Sequence, residues 1–217
     1  MTIEIITCEQ GSPEWYAARL GIPTASEFST ILAKGRGDAD SKTRRTYMTK
    51  LAGEILTGQP MDSYSNAHMD RGKEMEPEAR DLYSFVNDEP VAQVGFIRNG
   101  QKGCSPDALV GDKGLLEIKT KLPHLQVDLI VCDSFPPEHK AQSQGQLWVA
   151  EREWLDFMAY WPGLPPFEKR TYRNEDYIKT LAEAVDKFND ELAEMVERVR
   201  RYGAESEIRR QLEASAA

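Results

Sequence analysis

Two carboxylates and a lysine stand close together in the middle of this sequence: Cys104-Ser105-Pro106-Asp107, then nine residues, then Glu117-Ile118-Lys119. Acidic oxygens suit a hard divalent cation such as Mg²⁺, and an amine beside them suits orienting or deprotonating a water for attack on phosphorus. A strand alternates its side chains, so Glu117 and Lys119 share one face. The turn Gly111-Asp112-Lys113-Gly114 folds that face against the segment carrying Asp107, and the main-chain carbonyl of Ile118 is a further ligand oxygen. Glu-x-Lys alone is a weak signal, because ordinary composition produces it about once in a chain of this length. Glu138-His139-Lys140 is such a decoy: it follows Pro136-Pro137, opens a helix and has no Pro-Asp on a preceding strand.

The elements that must position these groups are legible from period and punctuation. Ser12 caps a first helix with Pro13 at its first position, ending near Gly21. Thr24-Ala25-Ser26-Glu27 opens a second, with Ser26 as cap and Phe28, Ile31 and Leu32 as its apolar stripe. A Gly-rich loop runs from Lys34 to Asp40. Tyr47, Leu51 and Ile55 predict a helix over 41–56, closed by Gly58 and Pro60. The next helix starts at about Pro77 and turns Ala79, Leu82, Tyr83 and Val86 inward. Between Val91 and Lys121 the period drops to two, which predicts an antiparallel meander with turns at 100–103 and 111–114. A helix over 137–150 and strands at 154–161 and 167–172 follow. The last helix carries Ile178, Leu181, Val185, Phe188, Leu192, Met195, Val199 and Tyr202 at spacings of three and four, a docking face for its own domain or for subunits. Residues 1–203 read as one domain and 204–217 as a frayed tail.

Composition bounds the partners. With 27 Lys plus Arg against 36 Asp plus Glu, the net charge is -9, which excludes broad electrostatic coating of nucleic acid. Residues 34–50 run the other way: six basic against two acidic residues give a local +4. Three cysteines, Cys8, Cys104 and Cys132, cannot assemble a four-cysteine zinc or iron–sulfur site within one chain. No apolar run approaches the roughly 18 residues of a membrane span, and the N-terminus lacks a signal's basic flank. The expectation is a cytoplasmic protein without a membrane partner.

Several separated motifs, in order, carry a resemblance. They are Trp15-Tyr16-Ala17-Ala18-Arg19-Leu20-Gly21 with Thr24-Ala25-Ser26; Gly72-Lys73-Glu74-Met75-Glu76-Pro77; Cys104 to Asp107; Leu116-Glu117-Ile118-Lys119; and Ala141-Gln142-Ser143-Gln144 with Trp148-Val149. Over Gly11 to Val149 the sequence resembles the phage lambda exonuclease family, also described as YqaJ-type viral recombinases or alkaline exonucleases, within the PD-(D/E)xK nucleases. The resemblance implies an α/β fold with a restriction-endonuclease-like core, a central mixed sheet flanked by helices, and a long C-terminal helix.

It also implies an activity: Mg²⁺-dependent 5′-to-3′ digestion of one strand of linear double-stranded DNA from a 5′-phosphorylated end, giving 3′ single-stranded tails for recombination by strand annealing. By position, Asp107 and Glu117 with the Ile118 carbonyl resemble the metal ligands, for two Mg²⁺ ions or Mn²⁺ in their place. Lys119 resembles the catalytic lysine, Glu76 the upstream helical glutamate and Gln144 the glutamine behind the site. Gln142 lies about 200° around a helix from Gln144, so only one of the two faces the metals. Arg19, Ser26 and Ser105 match the grip on the terminal 5′-phosphate, Arg36 an arginine that enters DNA, and Met69 an apolar wedge between terminal base pairs. A homotrimeric ring around DNA, a single-strand annealing protein as partner, and a phage or prophage origin in a bacterial host are further implications. Two other readings stay open: a restriction-like or repair endonuclease of the same superfamily, and a catalytically inactive DNA- or protein-binding module.

Overall fold

The computed structural model describes residues 2–35, 41–61 and 67–215, with the side chains of 67–70, 205 and 207–215 excepted. In chain order the elements are β1 (Ile3–Ile6), α1 (Pro13–Arg19), a 3₁₀ turn (Ala25–Glu27), α2 (Phe28–Leu32), α3 (Lys42–Thr57), α4 (Ala67–Asn87), β2 (Val91–Ala92), β3 (Phe96–Asn99), β4 (Gly103–Cys104), β5 (Ala108–Val110), β6 (Gly114–Thr120), α5 (Pro123–Cys132), a 3₁₀ turn (Pro137–His139), α6 (Lys140–Ala150), β7 (Trp154–Tyr160), β8 (Phe167–Tyr172) and α7 (Glu175–Ser215).

Five strands form the central sheet in the order β2-β5-β6-β7-β8, with β6 and β7 parallel and every other pair antiparallel. A parallel pair needs a crossover and cover on both faces, which α5 and α6 and then α4 provide. On one face, Ala79 and Tyr83 of α4 bury Ala108, Leu116, Ile118 and Met158. On the other, Leu147 of α6 packs on Leu115, Leu155 and Phe157, with Leu129 and Ile130 of α5 beside them. A third cluster joins Phe28, Tyr47, Leu51, Ile97 and Cys104 to the buried stripe of α7, Leu181, Val185, Phe188, Leu192 and Val196. The mixed α/β architecture with a long C-terminal helix is the expected one.

The meander predicted between Val91 and Lys121 divides between two sheets. β3 and β4 pair with β1 in a separate antiparallel sheet, while β5 and β6 belong to the central one. Pro106 brings no N–H to a ladder, and the break at Ser105–Asp107 hands the chain from one sheet to the other. The helix expected to start at Pro77 starts at Ala67, so Pro77 lies inside α4 and leaves the Lys73 carbonyl without its helical donor. α7 passes the expected end at Gly203 and reaches Ser215, yet its burial stops at Val196: Val199 is 47% and Tyr202 73% exposed.

Candidate active site

Strand β6 presents Glu117 and Lys119 on one face, and the two side chains meet, Nζ to Oε1 at 2.5 Å. Glu117 is buried, and α6 completes its surroundings. Gln142 Nε2 donates to Oε1 and Gln146 Nε2 to Oε2, each at 2.6 Å. The glutamines are one turn apart, so both lie on the same helix face. That face approaches closely because Gly145 sits on the Phe28 ring, where an added Cβ would collide with it.

Asp107 belongs to the bend before β5. Its N–H donates to the Leu116 carbonyl at 3.0 Å, and its Oδ2 accepts from the Ile118 N–H at 2.5 Å. The carboxylate is thereby fixed one strand from Glu117. Glu76 approaches from α4, held by Arg80 one turn on, and Gln93 offers its amide oxygen to the same guanidinium. Burial pushes the Asp107 carboxyl well above the usual carboxylate range, and the negative charges of Glu117 and Glu76 push it further. Glu76 is also raised, by burial that outweighs Arg80. Burial works to lower Lys119, but the surrounding carboxylates of Glu117, Asp107 and Glu76 win, and the ammonium is held protonated.

A pocket of about 180 Å³ runs from these groups to Arg19, Thr24, Ser26 and Ser105. The indole of Trp15 organises it. Its Nε1 donates to the Gly95 carbonyl at 3.0 Å and to Ser105 Oγ at 2.9 Å, and the Arg19 guanidinium lies 3.8 Å from its ring centroid. Arg19 Nη2 also reaches Thr24 Oγ1 at 3.5 Å, and Thr24 Oγ1 pairs with Ser26 Oγ at 3.1 Å. A neighbouring cavity of about 670 Å³ shares Gln10, Trp15 and Asp107 with this pocket and adds Glu76, Arg80 and Lys73.

The structure therefore gathers Arg19, Ser26, Ser105, Asp107, Glu117 and Lys119 around one pocket, with Glu76 at its border. Gln144 is not among them. Its Nε2 donates to Tyr172 O at 2.9 Å and Thr171 Oγ1 at 3.3 Å, and its Oε1 accepts from Asn174 N at 2.8 Å, so it ties α6 to the start of α7. Helical rotation sends it away from Glu117, and the place expected for it falls to Gln142 and Gln146. Ser26 does not cap an α-helix either: it lies within a 3₁₀ turn whose preceding residue is Thr24, and α2 is only five residues long. Arg36 and the side chain of Met69 lie outside the described residues. The decoy Glu138-His139-Lys140 stands near the site: His139 Nε2 meets Lys121 Nζ at 2.9 Å, while Glu138 lies 3.6 Å from that ammonium.

The sequence alone assigns no site role to Trp15, Gln10, Thr24, Gln146 or Arg80, and names Gln142 only as the alternative to Gln144. The i, i+4 spacing of Gln142 and Gln146 is a usable signal for the second glutamine.

The donor set fits a hard cation. Among the described residues no three acidic, His or Cys side chains close into a preformed cluster, and Mg²⁺ characteristically takes one or two carboxylates and fills its shell with water and substrate phosphate. Asp107 and Glu117 supply that number. The buried Gln146 Oε1 beside Glu117 has no hydrogen-bond partner, an acceptor suited to metal-bound water.

A sequence model of the YqaJ-like viral recombinase domain matches residues 14–153. The crystal structure of an alkaline exonuclease from Laribacter hongkongensis superimposes with a TM-score of 0.81 at 35% identity, covering 89% of this chain and 99% of that one. The same enzyme in complex with dAMP gives 0.81 at 36% identity, with the same coverage. A phage-related exonuclease from Haemophilus somnus 129PT shares the fold, with a TM-score of 0.62 at 14% identity over 82% of this chain and 96% of that one. No curated protein matches the chain. Matched over most of its length in sequence and over nearly nine-tenths of it in structure, the chain belongs to the YqaJ-like viral recombinase family.

Proposed function

We propose that this chain, a nuclease by family, digests one strand of linear double-stranded DNA from a 5′-phosphorylated end, in the 5′-to-3′ direction and with Mg²⁺, leaving 3′ tails for strand annealing. The observation that carries the reading is the single pocket in which Arg19, Ser26 and Ser105 stand beside Asp107, Glu117 and Lys119. An anion-holding end and a hydrolytic end within one pocket of about 180 Å³ suit an enzyme that counts from a terminus.

The side chains divide the work. Arg19, braced on Trp15, offers a planar fork to the terminal phosphate. Ser105 Oγ already accepts from Trp15, so its own hydrogen is free to donate to a phosphate oxygen. Asp107, Glu117 and the Ile118 carbonyl would hold Mg²⁺, which when bound neutralises charge on the phosphoryl group and acidifies a water. Gln142 and Gln146 fix the Glu117 rotamer, and Arg80 fixes Glu76. Lys119, protonated among three carboxylates, orients the attacking water and stabilises the phosphorane-like charge; it becomes a base only once cationic charge offsets those carboxylates. Activity then rises toward alkaline pH. A homotrimeric ring and a single-strand annealing partner belong to the same proposal, and light scattering of the purified protein tests the ring.

The deciding experiment compares three substrates with Mg²⁺ and with chelator: linear duplex ending in 5′-phosphate, the same duplex ending in 5′-hydroxyl, and closed circular DNA. The expected result is Mg²⁺-dependent release of mononucleotides from the phosphorylated end alone. Equal rates on both ends would remove the phosphate pocket, and cutting of the circle would make the protein an endonuclease.

A further inference from the structure

Four arginines from distant parts of the chain converge on one groove outside the catalytic pocket. Arg44 and Arg45 from the first turn of α3 face Arg198 and Arg201 of α7 across a groove of about 520 Å³ floored by Met48 and Met195. Two acids, Glu191 and Glu194, share its wall, so four positive charges meet two negative ones. Glu191 is already committed, 2.5 Å from Arg44 Nη1 and 3.8 Å from Lys187 Nζ. Among the described residues, the side chains of Arg45, Arg198 and Arg201 have no hydrogen bond or ion pair. Gathering like charges from elements about 150 residues apart is unfavourable unless an anion offsets it, and this happens in a chain whose net charge is -9.

The groove's position identifies the anion. α3 runs past the catalytic pocket: Tyr47 Oη accepts from the Thr24 N–H at 3.1 Å, and Lys50 borders a small cavity together with Arg19 and Thr24. From Arg44 to Lys50 the helix axis advances about 9 Å, so α3 links the groove to the edge of the pocket, where Lys50 and Arg19 stand beside Glu27 and Glu54. A polyanion of regularly spaced phosphates matches arginines presented side by side from two helices, and guanidinium forks match its oxygens.

We propose that the groove between α3 and α7 grips the phosphodiester backbone of the duplex whose end occupies the catalytic pocket. This rests on the nuclease reading above. The test replaces Arg45, Arg198 and Arg201 together by Gln, and separately by Lys, leaving the ion-paired Arg44 in place. Binding of a 5′-phosphorylated hairpin duplex is followed across a salt series in chelator, with circular dichroism to confirm folding. The Gln variant should lower the slope of log affinity against log salt by about 2 to 3, near 0.9 for each phosphate the protein no longer neutralises. Its KM for linear duplex should rise with kcat unchanged. The Lys variant keeps the charge and should keep the slope, while binding more weakly for want of forks. An unchanged slope and KM in the Gln variant, with wild-type protein binding and digesting the same duplex, overturns the proposal and leaves the groove to an acidic polypeptide. If the triple Gln variant does not fold, the single variants Arg45→Gln, Arg198→Gln and Arg201→Gln take its place, and a salt slope unchanged in all three overturns the proposal equally. Wild-type protein that neither binds nor digests duplex overturns the nuclease reading itself, and this proposal with it.

Discussion

Glu117 on β6 and Asp156 on β7 are buried carboxylates on adjacent parallel strands, one residue out of register, so their side chains leave opposite faces of the sheet. Asp156 is fully engaged. Arg170 donates to it through Nε and Nη2, each at 2.8 Å, and Tyr83 Oη donates at 2.6 Å. The guanidinium lies 3.6 Å from the Trp154 ring centroid. A permanent positive charge, a phenol and a stacked ring leave that carboxylate nothing further to bind. Glu117 has two neutral amides and a lysine that it shares with Asp107 and Glu76, and these carboxylates crowd one another. Both faces desolvate an acid. One offsets the cost within the fold, and the other leaves negative charge that a cation and a phosphate can complete.

The sharpest way to break this contrast is to remove a charged group from each side. Lys119→Ala should lower the rate of linear duplex digestion by about 10²- to 10⁴-fold while the protein, assayed with Mg²⁺ to offset the carboxylates, stays folded. Asp156→Asn should do the reverse. It leaves Arg170 facing a neutral amide, and because that side chain is 42% exposed the cost falls to about 2–3 kcal/mol of unfolding free energy, with activity per folded molecule retained. Urea denaturation and end-digestion assays on both variants check the pair. A Lys119→Ala protein that digests normally would remove the mechanism.

A smaller effect separates the two faces by ligand. Mg²⁺ should raise the melting temperature of the wild-type protein and of Asp156→Asn, since a ligand bound only by the native state stabilises it. It should do so hardly at all for Asp107→Asn. Smaller again is Tyr83→Phe, which leaves one Asp156 lone pair unmet and should cost about 1 kcal/mol, with the Mg²⁺ response intact. Calorimetric melting with and without the metal reads all four proteins, and an equal Mg²⁺ shift in Asp107→Asn would exclude Asp107 as a ligand.

The two faces also differ in how far the sequence disclosed them. Glu117 and Lys119 were readable because a strand's period of two places them together, and Asp107 because a Gly-bounded turn returns the chain. Asp156 gave no signal. It sits in an otherwise apolar strand, and its partners Tyr83 and Arg170 come from elements 73 residues before and 14 after it. α6 misled the assignment of the glutamine because a choice between Gln142 and Gln144 overlooked Gln146, the residue that makes a pair on one face. α5 is not legible because its apolar residues divide, Leu129 and Ile130 packing inward while others face solvent. Gln126 is its one buried residue, donating to the Pro165 carbonyl at 2.8 Å, while Leu125, Val127 and Val131 are exposed. Periodicity assumes that apolar means inside, and an element that breaks this assumption cannot be found by it. The division of the meander was similarly hidden, because alternation fixes which face a residue takes and says nothing of which sheet the strand joins.

The finest discrimination comes from pH, where two groups near the site pull in opposite directions. Asp107 and Glu76 have carboxyls raised above their unfolded values, so the native protein holds protons that the unfolded chain has lost. Their contribution to stability is complete at low pH and disappears as pH rises through the folded values. His139 has the opposite sign. Burial, with Lys121 against it, lowers its imidazole from 6.5 to about 4, while the ring stacks on Phe157 at 4.9 Å. Between those values the unfolded chain binds the extra proton, so stability is full above about pH 6.5 and falls by up to about 3 kcal/mol as pH drops toward 4. In metal-free wild-type protein the two slopes partly cancel. His139→Gln should leave the carboxylate slope exposed, so that mild acidification stabilises the protein, and Asp107→Asn, which keeps only Glu76 on the carboxylate side, should let the histidine slope dominate, so that the same change destabilises it. Denaturant titrations of the three proteins in chelator, from neutral pH down to about 4.5, measure the difference. Parallel pH profiles for the two variants would show that neither the crowded carboxylates nor the buried imidazole carries the charge state assigned to it. Opposed profiles would locate the uncompensated charge on the Glu117 face of the sheet.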